Sequence, residues 1–167
     1  MDLARGLGVS AEVKPVIELD GSRFKTLEEF YDHFEERALD CSWGKNLDAF
    51  NDVLRGGFGT PEKGFKLLWG EHETSKENLG YGETVRQLRR RLANCHFSSV
   101  PSIEHELKDA MAGKGPTVFD WLVEIIRDHG PGALRRTMGS TLSWPSKSPK
   151  DFFRRDISIP PFTAHGT

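Results

Sequence analysis

The chain has only two cysteines in 167 residues, Cys41 and Cys95, too few for a disulfide scaffold. Reduced thiols in a cytoplasm are the expectation. No stretch is apolar for long enough to form a membrane span, and residues 1 to 15 contain no secretory apolar core. A basic excess is also missing. The formal net charge is -2, which argues against a general binder of nucleic acid or membrane surfaces. There is no Gly-Lys phosphate loop, no dinucleotide fingerprint, no HExxH and no paired CxxC. Two local pairs fall short of a catalytic or metal site. Cys95 and His96 are adjacent and would project about 100° apart on a helix, and His72 between Glu71 and Glu73 has no further ligand at suitable spacing. The sequence therefore predicts no enzyme, no cofactor and no metal, in one ordinary domain with extensions.

What is present is a run of amphipathic segments with clear ends. Val16 to Leu19 is a short apolar strand closed by Asp20 and Gly21. Thr26 and Glu29 form a capping box for a helix whose apolar stripe is Leu27, Phe30, Tyr31 and Phe34. A second helix runs from Asn46 to Arg55 with Leu47, Phe50 and Leu54 facing a core, and Gly56 and Gly57 end it. Phe65 to Trp69 reads as a buried strand, so the order strand, two helices, strand predicts a parallel crossover. Helices are then expected over 74–79, 83–93, 103–111 and 118–129. A third strand is expected near 134–138, 140–144 or 157–159. Residues 1–13 read as a flexible leader, 14–143 as the folded domain, and 144–167 as a poorly ordered basic tail with Pro145, Pro149, Pro160 and Pro161.

Charge is unevenly placed. Residues 26–52 hold eight acidic and two basic side chains, whereas residues 131–167 hold six basic and two acidic. Asp48 and Asp52, four apart on the second helix, lie about 40° from one another and opposite the apolar stripe. Such a pair costs an isolated helix a few tenths of a kcal/mol, so either cations neutralise it or a partner uses it. Lys45 and Arg55 are the nearby cations. Trp43, before a glycine at the loop–helix junction, is a candidate for a partner contact. Arg86, Arg89 and Arg90 share a face of the fourth helical segment. They pair either with the acidic first helix or, with the basic tail, with RNA phosphate.

The stretch Trp43, Gly44, Asn46, Leu47, Asp48, Ala49 and Asp52 resembles the signature of the barstar family, cytoplasmic inhibitors of barnase-type ribonucleases. The resemblance covers roughly Val16 to Gly130 and is strongest from Trp43 to Leu54. It implies an α/β fold: a small three-stranded parallel sheet packed with helices, here with a helical insertion after the second strand. It also implies an immunity-type protein that occludes the cationic active site of a ribonuclease or nuclease toxin. Trp43, Gly44, Asn46, Asp48, Asp52 and Arg55 would form the partner-binding surface. The alternative is an RNA-associated or regulatory protein using Arg86, Arg89 and Arg90, although nucleic acid and membrane are not the expected partners. This sequence departs from the family pattern at Ser42, Lys45, Asn51 and Arg55. Lys45 stands where the pattern has a carboxylate, and Arg55 where it has a small hydroxyl residue.

Overall fold

The first strand, β1 (Val16–Asp20), alternates as its sequence dictates, with Ile17 and Leu19 buried and Val16 and Glu18 exposed. In the computed structural model, which describes residues 14–56, 59–61, 64–129 and 157–158, β1 pairs in parallel with β2 (Lys66–Gly70), Ile17 opposite Leu67 and Leu19 opposite Trp69. A parallel pair needs a crossover, and α1 (Leu27–Ala38) and α2 (Leu47–Arg55) supply it. Thr26 caps α1 as predicted, its hydroxyl accepting from Glu29 N at 3.2 Å, while Glu29 Oε2 reaches back to Lys25 N at 2.6 Å.

After β2 come α3 (His72–Asn78), α4 (Tyr81–Asn94), α5 (Val100–Met111) and α6 (Val118–His129). Thr117 and Asp120 cap α6, with Thr117 N donating to Asp120 Oδ2 at 2.8 Å and Asp120 N to Thr117 Oγ1 at 3.3 Å. At 157–159 the expectation of a third parallel strand needs correction. The two-residue β3 (Ile157–Ser158) runs antiparallel to β2, Leu67 opposite Ile157 and Lys66 opposite Ser158, so among the described residues the parallel part of the sheet is two strands. Another parallel strand would need another crossover returning the chain to the same end of the sheet. The other strand candidates, 134–138 and 140–144, lie outside the described residues. So do the leader 1–13 and the tail 144–167, apart from 157–158.

Aromatic rings fill the space between the sheet and α1, α2 and α6. Phe24, Phe30, Phe34, Phe50 and Phe65 are fully buried, and Phe30 stacks on Trp69 with centroids 5.5 Å apart. Leu122, Val123 and Ile126 of α6 close the same core. A smaller cluster of Leu88, Ile103 and Ala110 joins α4 to α5.

Gly21 closes β1 under tight constraint. Its N–H donates to Gly70 O at 3.0 Å, and a Cβ there would sit 2.0 Å from Ser75 Oγ and 2.5 Å from Glu71 O. The second contact is backbone and cannot swing aside. Gly21→Ala is therefore expected to cost about 1–3 kcal/mol, as overpacking does. Urea unfolding checks it: the midpoint falls with an unchanged slope.

Candidate partner-binding surface

The local sequence around α2 builds a short helix with both ends fixed. Asn46 caps it, with Oδ1 accepting from Ala49 N at 2.8 Å and Nδ2 donating back to Gly44 O at 3.2 Å. Gly44 is held close by the same turn, since a Cβ there would lie 3.1 Å from the Ala49 Cβ. The helix ends at Gly56, whose φ of 99° suits glycine and whose N–H donates to Val53 O at 3.0 Å. Phe50, Val53 and Leu54 anchor it in the core. Phe50 sits edge-on to Phe30 and Phe34, with centroids 5.3 and 5.0 Å away.

Trp43 is half-buried. Its ring meets Tyr31 edge-on at 5.3 Å and also packs on Phe34 and Phe50, so it fastens the pre-helix loop to the core. Tyr31 Oη and Trp43 Nε1 are both buried without a hydrogen-bond partner among the described residues. Burial pushes the Tyr31 hydroxyl pKa up, and the negative charges of Glu28 and Asp48 add to the shift.

Opposite this anchored side, Asp48 and Asp52 are exposed. Asp48 makes no ion pair with any described residue. Asp52 has Arg55 Nη1 at 3.5 Å, an exposed contact one helical turn away and weak on general grounds. Asp48 in the first turn and Arg55 in the last both suit the helix dipole. Lys45, one of the two nearby cations available to neutralise the pair, is turned away: its ammonium lies 2.6 Å from Asp32 Oδ1 and 2.5 Å from Glu35 Oε2, on α1.

One contact was not visible in the sequence. Asn51 Oδ1 and His129 Nε2 are 2.8 Å apart, tying α2 to the end of α6 across 78 residues, and no local pattern marks such a pair. Burial lowers the His129 pKa, with Arg55 nearby acting the same way, so the ring is neutral at pH 7.

The structure separates the arginine cluster. Arg86 bonds Glu83 through Nε (2.6 Å) and Nη2 (2.7 Å), and also bonds Glu28. Arg90 Nη1 reaches Glu28 Oε1 at 2.5 Å. Gln87 adds bonds to Glu28 at 3.0 Å and Glu83 at 2.9 Å, and Glu83 Oε1 accepts from Leu27 N at 2.9 Å. Arg86 and Arg90 thus clamp α4 to the start of α1, and Arg89 alone of the three is exposed with no ion pair among the described residues.

No catalytic geometry accompanies these surfaces among the described residues. Cys95 Sγ points to Leu92 O at 3.5 Å while His96 Nδ1 pairs with Ser98 Oγ at 2.9 Å, so the two side chains serve different partners. His72 Nε2 lies 3.3 Å from Glu73 Oε1, and no group of three potential metal ligands occurs among the described residues. No helix among them is long and apolar enough to cross a membrane.

Comparison with curated proteins and with solved structures gave no match. Comparison with family models gave one: the model described as Barstar (barnase inhibitor) matches residues 14–98, just over half of the chain, from β1 through α4 and including the whole of α2. With its parallel β–α–α–β unit and its capped, acid-faced α2, this chain belongs to the barstar family.

Proposed function

We propose that the protein is a cytoplasmic, immunity-type inhibitor that occludes the active site of a basic ribonuclease or nuclease toxin with Asp48 and Asp52. The observation that carries this reading is the exposed pair itself, four residues apart on a helix fixed at both ends, with Asp48 unpartnered by any described cation. A nuclease cleft is built to stabilise phosphate charge, so carboxylates held on a rigid helix meet its cations without reorganising. Inhibition by occlusion needs no catalytic residue, cofactor or metal. Gly44 and Asn46 set the approach of the loop, Trp43 fastens it, and Arg55 adds a cation at the far end of the face. The RNA-binding alternative is weakened because Arg86 and Arg90 are engaged with Glu28 and Glu83.

Titration of the full chain into barnase-type ribonucleases tests the proposal. Cleavage of an RNA substrate is expected to fall to zero near one equivalent for at least one of them. Its association rate is expected to drop at least about tenfold between about 50 and 500 mM NaCl as the charges are screened. Undiminished cleavage at micromolar protein across the series rejects the reading.

A further inference from the structure

Lys45 carries the one charge in the pre-helix loop that opposes binding to a cationic cleft, and its placement is unusual in two ways. Its backbone is left-handed, φ 44°, a conformation that side chains other than glycine seldom adopt. Its ammonium is shared between Asp32 and Glu35, which stand three apart on one face of α1. Hydrogen bonds that the ammonium donates to these two carboxylates raise the Lys45 pKa, which keeps the group charged. The residues on either side are held by the Asn46 side chain, which reaches Gly44 O behind and Ala49 N ahead.

We propose that Lys45 is a positioning residue: a latch through which Asp32 and Glu35 hold the Trp43–Asn46 loop and keep a cation off the acidic face of α2. The proposal rests on the inhibitor reading of that face. Lys45 is three residues before Asp48, and a lysine stem is long and flexible. Released from α1, its ammonium would sweep the first turn of α2, where Asp48 is a carboxylate with no described cation. That contact would neutralise half of the inhibitory pair and place a like charge before the nuclease cleft. Two carboxylates on α1 compete against one on α2, which directs the side chain away. Exposed ion pairs add little to stability, but directing one exposed side chain requires only a bias in its population. The acidic face of α1 therefore acts at a distance from the contact it protects.

A double-mutant cycle reads this directly, using wild type, Lys45→Ala, Asp32→Asn with Glu35→Gln, and the triple variant. Alanine retains Cβ, so the left-handed backbone costs the same with or without the cation. In about 50 mM NaCl, Lys45→Ala alone is expected to stay within about threefold of wild-type ribonuclease inhibition. Asp32→Asn with Glu35→Gln should weaken it about tenfold or more, and adding Lys45→Ala should restore it to within about threefold. An equal gain from Lys45→Ala in both backgrounds, or no loss on removing Asp32 and Glu35, overturns the latch. Amide exchange of residues 42–46 without nuclease gives a second readout. Exchange should be about tenfold faster in Lys45→Ala and in the α1 double variant, and unchanged exchange also overturns the proposal. A wild-type chain that inhibits no ribonuclease rejects the inhibitor reading alone, and the exchange rates then decide the latch.

Discussion

Replacing Asp48 and Asp52 together by alanine is expected to weaken ribonuclease inhibition by at least about a thousandfold while leaving the fold in place. Truncating one member of a buried, hydrogen-bonded charge pair at an interface costs about 2–5 kcal/mol, because the partner's cation is left desolvated and unpaired. Two such losses come to about 4–10 kcal/mol, and a value near the middle of that range covers the 4 kcal/mol or so that a thousandfold change requires even with the non-additivity expected of neighbours on one helical turn. The Asp48→Ala single variant should lose more than Asp52→Ala, since Arg55 already engages Asp52 at 3.5 Å. Stability should hardly move. Relief of like-charge repulsion gains a few tenths of a kcal/mol, and loss of the Asp48 interaction with the helix dipole costs about 0.3–1 kcal/mol. Inhibition constants and thermal melts on the same samples check both halves. A double variant that inhibits like wild type removes α2 from the interface.

The second large effect concerns the clamp between α1 and α4. Glu83→Ala is expected to cost about 3 kcal/mol, near the lower end for breaking a buried ion pair, because Arg86 is half exposed and keeps Glu28. The deletion strands the Leu27 N–H at the start of α1 and removes one of the two acceptors of the Gln87 amide. For a chain of this size the melting temperature should fall by about 6–12 °C. The same clamp sets an acid limit. Burial alone would raise the Glu28 and Glu83 pKa values, but hydrogen bonds from Gln87 and Arg86, joined at Glu83 by the Leu27 N–H, outweigh it and lower both. A carboxylate with a depressed folded pKa contributes stability that is fully present above its unfolded value, about 4.3, and is lost as pH falls through the folded one. His33 adds an earlier step. Its Nε2 accepts from Asp20 N at 3.1 Å, so the ring must be neutral, and burial, with Arg37 next in effect, lowers its pKa. Its contribution declines as pH drops below its unfolded value of about 6.5. Melting temperature is thus expected to decline gently below about pH 6.5 and steeply below about 4.3, with the steep part diminished in Glu83→Ala.

The sequence was most informative where structure is local. The Thr26 cap, the β1–α1–α2–β2 order and the buried stripes of α1 and α2 follow from residues within one or two turns of each other. Helix starts were less legible. The segment expected from Thr74 begins at His72 after a left-handed Glu71, and that from Ile103 begins at Val100 ahead of Pro101, since neither start carries a side-chain cap. Long-range pairing was the least legible. Spacing placed Lys45 near Asp48 and grouped Arg86 with Arg89 and Arg90. Which acid each cation selects, however, depends on how α1 crosses α2 and α4. The Asn51–His129 link and the antiparallel run of β3 were invisible for the same reason.

The small cluster joining α4 to α5 has a consequence for how this chain can vary. The family match ends at residue 98, and α5 begins at Val100, packing through Ile103 and Ala110 on Leu88 rather than on the sheet. The half-buried Trp121 borders both clusters and is one side chain through which they meet. α5 is in effect an annex with its own footing. Its length, its outer surface and the exposed Phe97 in the turn before it can be remodelled at little cost to the aromatic packing beneath α2.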